Sequence, residues 1–236
     1  MDILYLGQKP IGERIFFSLI LPHLNKNLVV CSNTNTSNWW NSNKIYNYCR
    51  INKINFIDNC KRNENLIIKF IKSNKINCIL SVQHKWILSK KIIDSVDGNA
   101  FNLHLASLPE YKGSCGLNIA LLNNKKSINA TLHLLTKEVD SGSIIYQKSV
   151  RISSVDNALT LYKKLEEAGF KIFEKLLTNI KNNKISFLRK NEKKGKFYNY
   201  SSLDKFRVIQ SKEINNDTFV RSRALSFKNF KPLIIK

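Results

Sequence analysis

The segment NAFNLHLASLPEYKG, residues 99–113, decides the fold assignment, because an apolar strand pattern here ends in polar side chains. Asn102 and His104 are two positions apart, so on a strand both side chains point to the same face. Pro109 and Gly113 follow in a more polar loop. We interpret the segment as a buried strand that carries an amide and an imidazole to its carboxyl end.

Strand-like and helix-like patterns alternate on both sides of this segment. Short apolar runs predict strands, and apolar residues three and four positions apart predict helices. The predicted strands are 2–7, 27–32, 54–57, 76–82, 99–105, 129–136 and 142–150. The predicted helices are 12–24, 63–74, 89–96, 117–124 and 155–181, and 33–50 is predicted as a loop, alone or with a short helix.

This alternation predicts an α/β fold with a Rossmann-like, mainly parallel sheet. Ligands of such sheets bind beyond the carboxyl ends of the strands. Asn102 and His104 lie at one of these ends, so their shared face can look into a ligand crevice.

The character of the sequence changes at residue 185. The rest of the chain has short apolar stretches, aromatic residues and no pattern of a long helix. We therefore predict two units, a large α/β domain over 1–184 and a small β-rich domain over 185–236.

The net charge of +22 has two interpretations. It could reflect a polyanionic partner such as a nucleic acid or a nucleotide. It could also reflect a compositional bias toward lysine, asparagine and isoleucine, because the lysines are spread along the chain. We favour the second interpretation for most of this charge, although an anion site would still use some of these cations.

Other features restrict the class of protein. No apolar run is long enough for a membrane-spanning helix, and the N-terminal residues MDILYLG predict a strand and not a signal peptide. We therefore expect a cytoplasmic protein with no membrane partner. No Cys-x-x-Cys pair occurs, and the His, Cys and carboxylate spacings predict no metal site.

Two motifs together resemble the hallmarks of the folate-dependent formyltransferases. The first is N-x-H-x-x-x-L-P at residues 102–109, and the second places Thr131, His133, Asp140 and Gly142 in order. The family includes glycinamide ribonucleotide, methionyl-tRNA and sugar-nucleotide formyltransferases. The resemblance covers about residues 1–180, which implies the formyltransferase fold and makes 1–184 the expected catalytic domain.

The resemblance implies a reaction and roles for three residues. An amine attacks the formyl carbon of 10-formyltetrahydrofolate, and charge develops on the formyl oxygen. Asn102 and His104 would donate hydrogen bonds to that oxygen, the imidazole most strongly when protonated. Asp140 would orient His104 and accept a proton from the amine, directly or through water. No metal is implied.

The resemblance also suggests where the folate binds. The segment after the fourth predicted strand would form one wall, with Trp86 and Leu88 as the candidates. The loop that leads to Asp140 would form the other wall, with Thr136 and Val139. Packing in the core is an equally good interpretation of Trp86 and Leu88.

Three residues are candidates for binding the acceptor. Lys9, in the loop GQKPIG at 7–12, is a candidate contact to a pyrophosphate or a sugar, and Gly113 lies in a loop that a ligand can approach closely. Tyr198 offers a ring for stacking on a base. The aromatic residues around it could instead form a dimer interface or the core of the small domain, and we expect a homodimer.

The resemblance favours a nucleotide-linked amino-dideoxy sugar as the acceptor, in a pathway to surface glycans such as O-antigen. The stretches LGQKPIGERIF at 6–16, SVQHKWIL at 81–88 and RSRALSFKNFKP at 221–232 resemble the sugar-nucleotide enzymes. One alternative is a methionyl-tRNA formyltransferase, but too few residues follow the long helix for the basic barrel of those enzymes. The other alternative is a non-enzymatic, basic nucleic-acid-binding protein, which would not explain the two motifs.

Overall fold

The fold is built around a mixed seven-stranded sheet. The computed structural model describes residues 2–23, 28–32, 40, 42–58, 63–182, 195–227 and 231–236. The strands of this sheet are β1 Ile3–Gly7, β2 Leu28–Ser32, β3 Asn55–Asp58, β4 Cys78–Val82, β5 Ala100–His104, β7 Ser127–Leu134 and β8 Ile144–Arg151. Their order is β3-β2-β1-β4-β5-β7-β8. The strand β6, Tyr111–Gly113, lies outside this sheet. The first five strands run parallel and the last two pairings are antiparallel, which confirms the expected α/β fold.

The order of the strands creates a crevice between β1 and β4. The chain continues from β1 to β2 on one side and later adds β4 and β5 on the other side. Loops diverge at such a point, so ligands of open α/β sheets bind there. The loops after β1 and β4 are tied together here, because the Gln8 amide donates to the Val82 carbonyl at 3.1 Å.

Helices cover both faces of the sheet. They are α1 Lys9–Ile15, α2 Lys44–Ile51, α3 Glu64–Ser73, α4 Lys90–Asp94, α5 Gly116–Leu122 and α6 Ala158–Lys181. The apolar stripes of α1, α5 and α6 pack on one face, and those of α3 and α4 pack on the other. The helix α2 confirms the short helix considered within 33–50, while 33–39 and 41 lie outside the described residues.

The long helix α6 begins slightly later than the sequence predicts. Its N-terminus is capped by Asn157, whose side chain accepts from the amides of Leu159 and Thr160. The predicted start signal, Ser153 and Asp156, forms a turn just before the helix, in which the Ser153 amide and hydroxyl both donate to the Asp156 carboxylate.

The C-terminal segment is held against the rest of the fold. It contains the strands β9 Lys196–Tyr198, β10 Val208–Ile209 and β11 Ile234–Ile235, and the helix α7 Asn216–Leu225. The strand β9 pairs with β6, and α7 packs on α5 and α6. The short strands agree with the expectation for this segment, whereas the ten-residue helix α7 was not predicted. The predicted boundary between 184 and 185 lies outside the described residues.

Among the described helices, none combines the length and apolar character needed to cross a lipid bilayer.

Candidate active site

A cleft of about 300 Å³ lies at the carboxyl edge of β4 and β5. Its floor is formed by the end of β5, with Asn102 and His104, and Asp140 faces them from the loop after β7. The C-terminal segment closes one side through Phe197, Tyr200, Leu203, Arg207, Leu225 and Phe227. The cleft is therefore shared between the sheet and the C-terminal segment.

Asn102 and His104 lie side by side on β5, as their spacing predicts. In the neighbouring strand β7, Asn102 is paired with His133, and His104 is paired with Thr131. The Asn102 amide nitrogen Nδ2 lies 3.1 Å from Nε2 of His133. A carboxamide has two N–H donors, so one of them remains for a group in the cleft.

The orientation of the His104 ring is fixed from behind. Its Nε2 lies 2.7 Å from the carbonyl oxygen of Tyr111. A carbonyl oxygen only accepts hydrogen bonds, so Nε2 carries a proton and Nδ1 faces Asp140, at 3.6 Å from Oδ2. His104 can therefore donate from Nδ1 only when the ring is an imidazolium.

Asp140 lies opposite these two residues, in a left-handed backbone conformation with φ of 51°. Its Oδ2 accepts from the Gly113 amide at 2.7 Å, and its Oδ1 lies 3.4 Å from Nε2 of His133. Burial alone would raise the pKa of this carboxyl, but the charge of His104, the hydrogen bond and charge of His133 and the Gly113 amide together hold the pKa well below its usual range. Asp140 is therefore ionised at any ordinary pH.

His133 supports the site in a way that its place in the sequence did not predict. This residue is 1% exposed and lies between Asn102 and Asp140. Its Nδ1 donates to the carbonyl of Leu134 at 2.8 Å, so Nε2 is the ring atom that faces the Asn102 amide and Asp140. Its place in the second motif, two residues after Thr131, could have indicated a role in the site. On β7, His133 is the residue that pairs with Asn102.

Gly113 connects the site to the C-terminal segment. Its φ is 90°, and a Cβ atom here would lie 2.4 Å from the Tyr198 carbonyl oxygen. The residue thus lines the cleft, as expected, but its amide is used by Asp140. The neighbouring Lys112 side chain donates to the Ser141 hydroxyl at 2.8 Å, which adds a second tie to the Asp140 loop.

The four residues suggested for a folate wall all line the same cleft. Trp86, which is half-buried, and Leu88, which is buried, lie on the side of β4. Thr136 and Val139 lie on the loop that leads to Asp140. The Thr136 hydroxyl donates to the Glu138 carbonyl at 2.8 Å, which fixes the turn of this loop. Together they form a partly apolar slot beside Asn102.

Lys9 is half-buried at the other end of the cleft. Its Nζ donates to Oε1 of Gln83 at 3.0 Å. Burial lowers the pKa of this lysine to about 8, although Cys115 and Glu166 act to raise it. A cation of this kind is poorly hydrated and is suited to binding an anion.

The structure does not bring the side chain of Tyr198 to the cleft. Its ring packs on that of Tyr111, with ring centroids 6.2 Å apart. The neighbouring Phe197 and Tyr200 line the cleft instead, at 57% and 45% exposure. Side chains alternate along a strand, so the register of β9 against β6 decides which ring faces the ligand.

The site can bind an anionic oxygen and a cationic nitrogen in close proximity. Asn102 supplies an N–H donor, His104 supplies another from Nδ1 when its ring is protonated, and Asp140 supplies a fixed negative charge. Among the described residues, no three His, Cys, Asp or Glu side chains are grouped in a way that could hold a metal ion.

The chain resembles proteins of known structure over nearly its whole length. A 4-N-formyltransferase from Francisella tularensis superimposes with a TM-score of 0.79 at 22% identity and covers 99% of this chain and 91% of that one. An N-formyltransferase from Helicobacter canadensis, solved with folinic acid and dTDP-3-aminofucose, superimposes with a TM-score of 0.77 at 21% identity, over 96% and 81% of the two chains. These likenesses show a common fold.

Sequence comparison identifies the family. The bifunctional polymyxin resistance protein ArnA of Wigglesworthia glossinidia brevipalpis is 40% identical over 119 residues, which are 50% of this chain and 18% of that protein. The chain thus matches only a small part of the length of this relative. Residues 5–177 match the family described as formyl transferase. Since this match extends over most of its 236 residues, the chain belongs to the formyl transferase family.

Proposed function

We propose that the protein is an N-formyltransferase that moves the formyl group of 10-formyltetrahydrofolate to the amine of a nucleotide-linked amino-dideoxy sugar. The observation that carries this proposal is the convergence of Asn102, His104 and Asp140 on one cleft. The Asp140 carboxylate lies 3.6 Å from the His104 ring although 35 residues separate them in the sequence, with Asn102 on the same strand as His104.

The donors of β5 act on the formyl oxygen. When the amine attacks, negative charge develops on this oxygen, and the Asn102 amide and the His104 imidazolium stabilise it. Both donors are held before the reaction, by His133 and by the Tyr111 carbonyl. Prearranged donors of this kind contribute about 3–4 kcal/mol each to transition-state stabilisation.

Asp140 acts on the amine. Because its pKa is depressed, Asp140 does not readily take a proton from the ammonium form of the free amine. Its negative charge does attract the positive charge that builds up on the attacking nitrogen. The proton on that nitrogen becomes more acidic once the new bond to carbon has formed. The carboxylate then accepts this proton, directly or through water. Collapse of the tetrahedral intermediate breaks the bond between the formyl carbon and the folate nitrogen, which takes up a proton and leaves as tetrahydrofolate.

The residues of the slot fit the proposed co-substrate. The folate supplies the formyl carbon that the amine attacks. Trp86, Leu88 and Val139 give apolar walls for a flat ring system, and they lie in the same cleft as Asn102. Two structural neighbours were solved with such ligands: the Helicobacter canadensis enzyme with folinic acid, and the sugar 3-N-formyltransferase WlaRD in the presence of dTDP and 5-N-formyl-THF.

The acceptor assignment rests on the same neighbours and on Lys9. These two enzymes were solved with dTDP-3-aminofucose and with dTDP, and both share the fold of this chain. Lys9 lies where a pyrophosphate could pass along the cleft. We propose that Lys9 contacts this pyrophosphate and that the product is used in the assembly of a surface glycan.

We further propose a cytoplasmic homodimer. Both proposed substrates are charged metabolites of the cytoplasm. In the described part of the C-terminal segment, large apolar side chains are exposed at Val208, Ile214, Phe219, Ile234 and Ile235, with 42–61% of their surface accessible. A second copy would cover them.

The decisive experiment is mass spectrometry of reactions with 10-formyltetrahydrofolate and a panel of nucleotide-linked amino sugars. A gain in mass of one formyl group on one panel member is expected. Formylation of charged initiator tRNA alone would instead establish the methionyl-tRNA alternative. Retention on heparin at high salt, with no formylation of any substrate, would favour a nucleic-acid-binding protein.

A further inference from the structure

Three residues form a row across the antiparallel strands beside the cleft. His104 on β5 is paired with Thr131 on β7, and Thr131 is paired with Gln147 on β8. Residues directly opposite each other in such a pairing have their side chains on the same face of the sheet. Of the three, His104 lines the cleft, whereas Thr131 and Gln147 do not. Any effect of Thr131 and Gln147 on the reaction therefore has to pass through contacts within the protein.

The side-chain amide of Gln147 holds the loop that follows β5. Its Nε2 donates to the carbonyl oxygen of Leu108 at 2.9 Å and to the hydroxyl oxygen of Thr131 at 3.1 Å. A carboxamide nitrogen has two N–H groups, so these two bonds use both of them. Because the Leu108 carbonyl can only accept, the nitrogen of Gln147, and not its oxygen, has to face the loop. We call residues 105–110, which lie between β5 and β6, the β5–β6 loop.

The strand β7 holds the same loop at two further positions. The Thr131 hydroxyl donates to the Ala106 carbonyl, and the Asn129 amide donates to the Ser107 hydroxyl, each at 2.8 Å. Thr131 is fully buried, so its hydroxyl is well protected from water. Three consecutive residues of the loop, 106, 107 and 108, are thus held by donors from β7 and β8.

The β5–β6 loop leads directly to the group that orients His104. The Tyr111 amide donates to the Ser107 carbonyl at 2.9 Å, which closes the loop. The carbonyl of the same tyrosine accepts from Nε2 of His104 at 2.7 Å. A displacement of the loop at Leu108 would therefore move the acceptor that keeps a proton on Nε2. Small errors in the placement of a reacting group are costly for the rate of the chemical step.

We propose that Gln147 is a positioning residue for His104. Its amide holds the β5–β6 loop, the loop holds the Tyr111 carbonyl, and this carbonyl holds the imidazole with Nδ1 facing the cleft. Gln147 touches no substrate in this arrangement, so its loss should lower kcat more than it raises KM. The inference rests on the proposed function for the reaction that is affected, but the positioning itself can be measured without any substrate.

NMR of protein labelled with nitrogen-15 in its histidines tests the positioning. The chain contains only four histidines, and comparison with His104→Ala identifies the signals of residue 104. In the native protein, Nε2 of His104 should carry a proton in both charge states of the ring. Gln147→Met has a side chain of similar length without an N–H donor. In this variant the Nε2 proton should exchange with water at least about tenfold faster, and the neutral ring should also populate the form with its proton on Nδ1.

Steady-state formyl transfer tests the consequence for the reaction. Gln147→Met should lower kcat about tenfold and change the KM of either substrate by less than about twofold. Lys148→Met is the matched control, because Lys148 is the next residue of β8 and its side chain is exposed.

Gln147→Glu adds a pH-dependent comparison. A neutral carboxyl has one O–H donor and a carboxylate has none, so the activity of this variant relative to the native protein should fall as the pH rises. A residue that only filled space would show no such trend. Gln147→Glu also provides the NMR comparison if Gln147→Met does not fold, and thermal melting verifies folding.

The outcomes separate this inference from the proposed function. Unchanged His104 signals in a folded Gln147→Met protein would overturn the inference, whatever the kinetics. A lower melting temperature with unchanged kcat would show that Gln147 only stabilises the fold, with the same conclusion. If Gln147→Met alters the His104 signals but the native protein formylates no amine, the positioning is supported and the proposed function is wrong.

Discussion

At the scale of single residues, the hydrogen bond behind His104 determines what its ring can do. The Tyr111 carbonyl fixes the proton on Nε2, so Nδ1 faces the cleft and Asp140. Only the doubly protonated ring can donate from Nδ1 to the formyl oxygen, and the ionised Asp140 lies 3.6 Å from that atom. The two residues therefore form one functional unit.

Replacing either member of this unit should greatly reduce turnover. His104→Ala removes a donor to the formyl oxygen and Asp140→Ala removes the proposed proton acceptor for the amine, so each should lower kcat at least about a hundredfold. The measurement is steady-state formyl transfer, with circular dichroism and thermal melting to verify folding. Near-normal kcat in either folded variant would contradict the assigned roles.

Lys9 should make acceptor binding sensitive to alkaline pH. Its pKa of about 8 means that the cation is present below that pH and is lost as the pH rises through it. The inhibition constant of a nucleoside diphosphate should therefore increase above about pH 8 in the native protein. In Lys9→Met the affinity should be lower at neutral pH and should not fall further. Parallel profiles for the two proteins would show that another group causes the change.

The sequence allowed the prediction of some site residues and not others, for a physical reason. Asn102, His104 and Asp140 lie in motifs with a recognisable order, and the structure brings them together. A single buried histidine such as His133 is usually structural, and only the pairing of β7 with β5 shows that it supports Asn102. The expectation that the Tyr198 ring lies in the cleft was wrong. The face to which this ring points depends on how the three-residue strand β9 pairs with β6, and the local sequence does not show that pairing.

At the scale of elements, the strands of the large sheet and most of the helices were predicted, whereas β6 and α7 were not. The central strands β1, β2 and β4 are short, largely apolar and buried runs, and α6 has a regular apolar stripe. The strand β6 has three residues, too few for a periodic pattern. The helix α7, with the sequence NDTFVRSRAL, has no continuous apolar face, and it depends on contacts with α5 and α6 that the local sequence does not reveal.

Arg223 attaches α7 to the turn that precedes α6. Its guanidinium donates to the carbonyls of Asp156 at 2.6 Å and Ser153 at 2.8 Å. The chain just beyond it, at Leu225 and Phe227, lines the cleft. Position 223 thus connects the start of α6 to one wall of the site.

Removing this attachment should loosen the wall without disturbing the sheet. Arg223→Ala should speed amide hydrogen exchange over 216–227, leave exchange in β1 and β4 unchanged, and raise the KM for a substrate several-fold. Arg221→Ala is the matched control, because Arg221 pairs with Asp217 within the same helix. Equal effects of the two substitutions would mean that helix stability, and not the attachment, is responsible.

At the scale of the whole molecule, one buried carboxylate should make stability depend on pH. Burial raises the pKa of Glu166 to about 7, while the Tyr162 hydroxyl, the Ile11 amide and Arg14 act to lower it. The folded protein therefore holds a proton that the unfolded chain loses near pH 4.5. The resulting stabilisation is complete below that pH and is lost as the pH rises through about 7.

Glu166→Gln should remove this dependence. At pH 8 the variant should have a free energy of unfolding about 2–3 kcal/mol higher than the native protein, and near pH 4.5 the two should be similar. Urea denaturation at both values provides the measurement. Glu167→Gln, at the neighbouring exposed position, should show no such gain, because hydrogen bonding to Arg14 lowers the pKa of Glu167. A loss of stability at pH 8 in Glu166→Gln would show that the charged carboxylate is needed for folding.

The pairing of β5 with β7 has a consequence for how the protein can be studied. Asn102 faces His133 and His104 faces Thr131 across this pairing, so a shift by one position would turn these side chains to opposite faces of the sheet. A chain that collapsed with the wrong alignment would retain its helices and compactness and yet be inert. Recovery of catalysis after dilution from denaturant would therefore report on correct strand alignment, which spectroscopic probes of helix content would not distinguish.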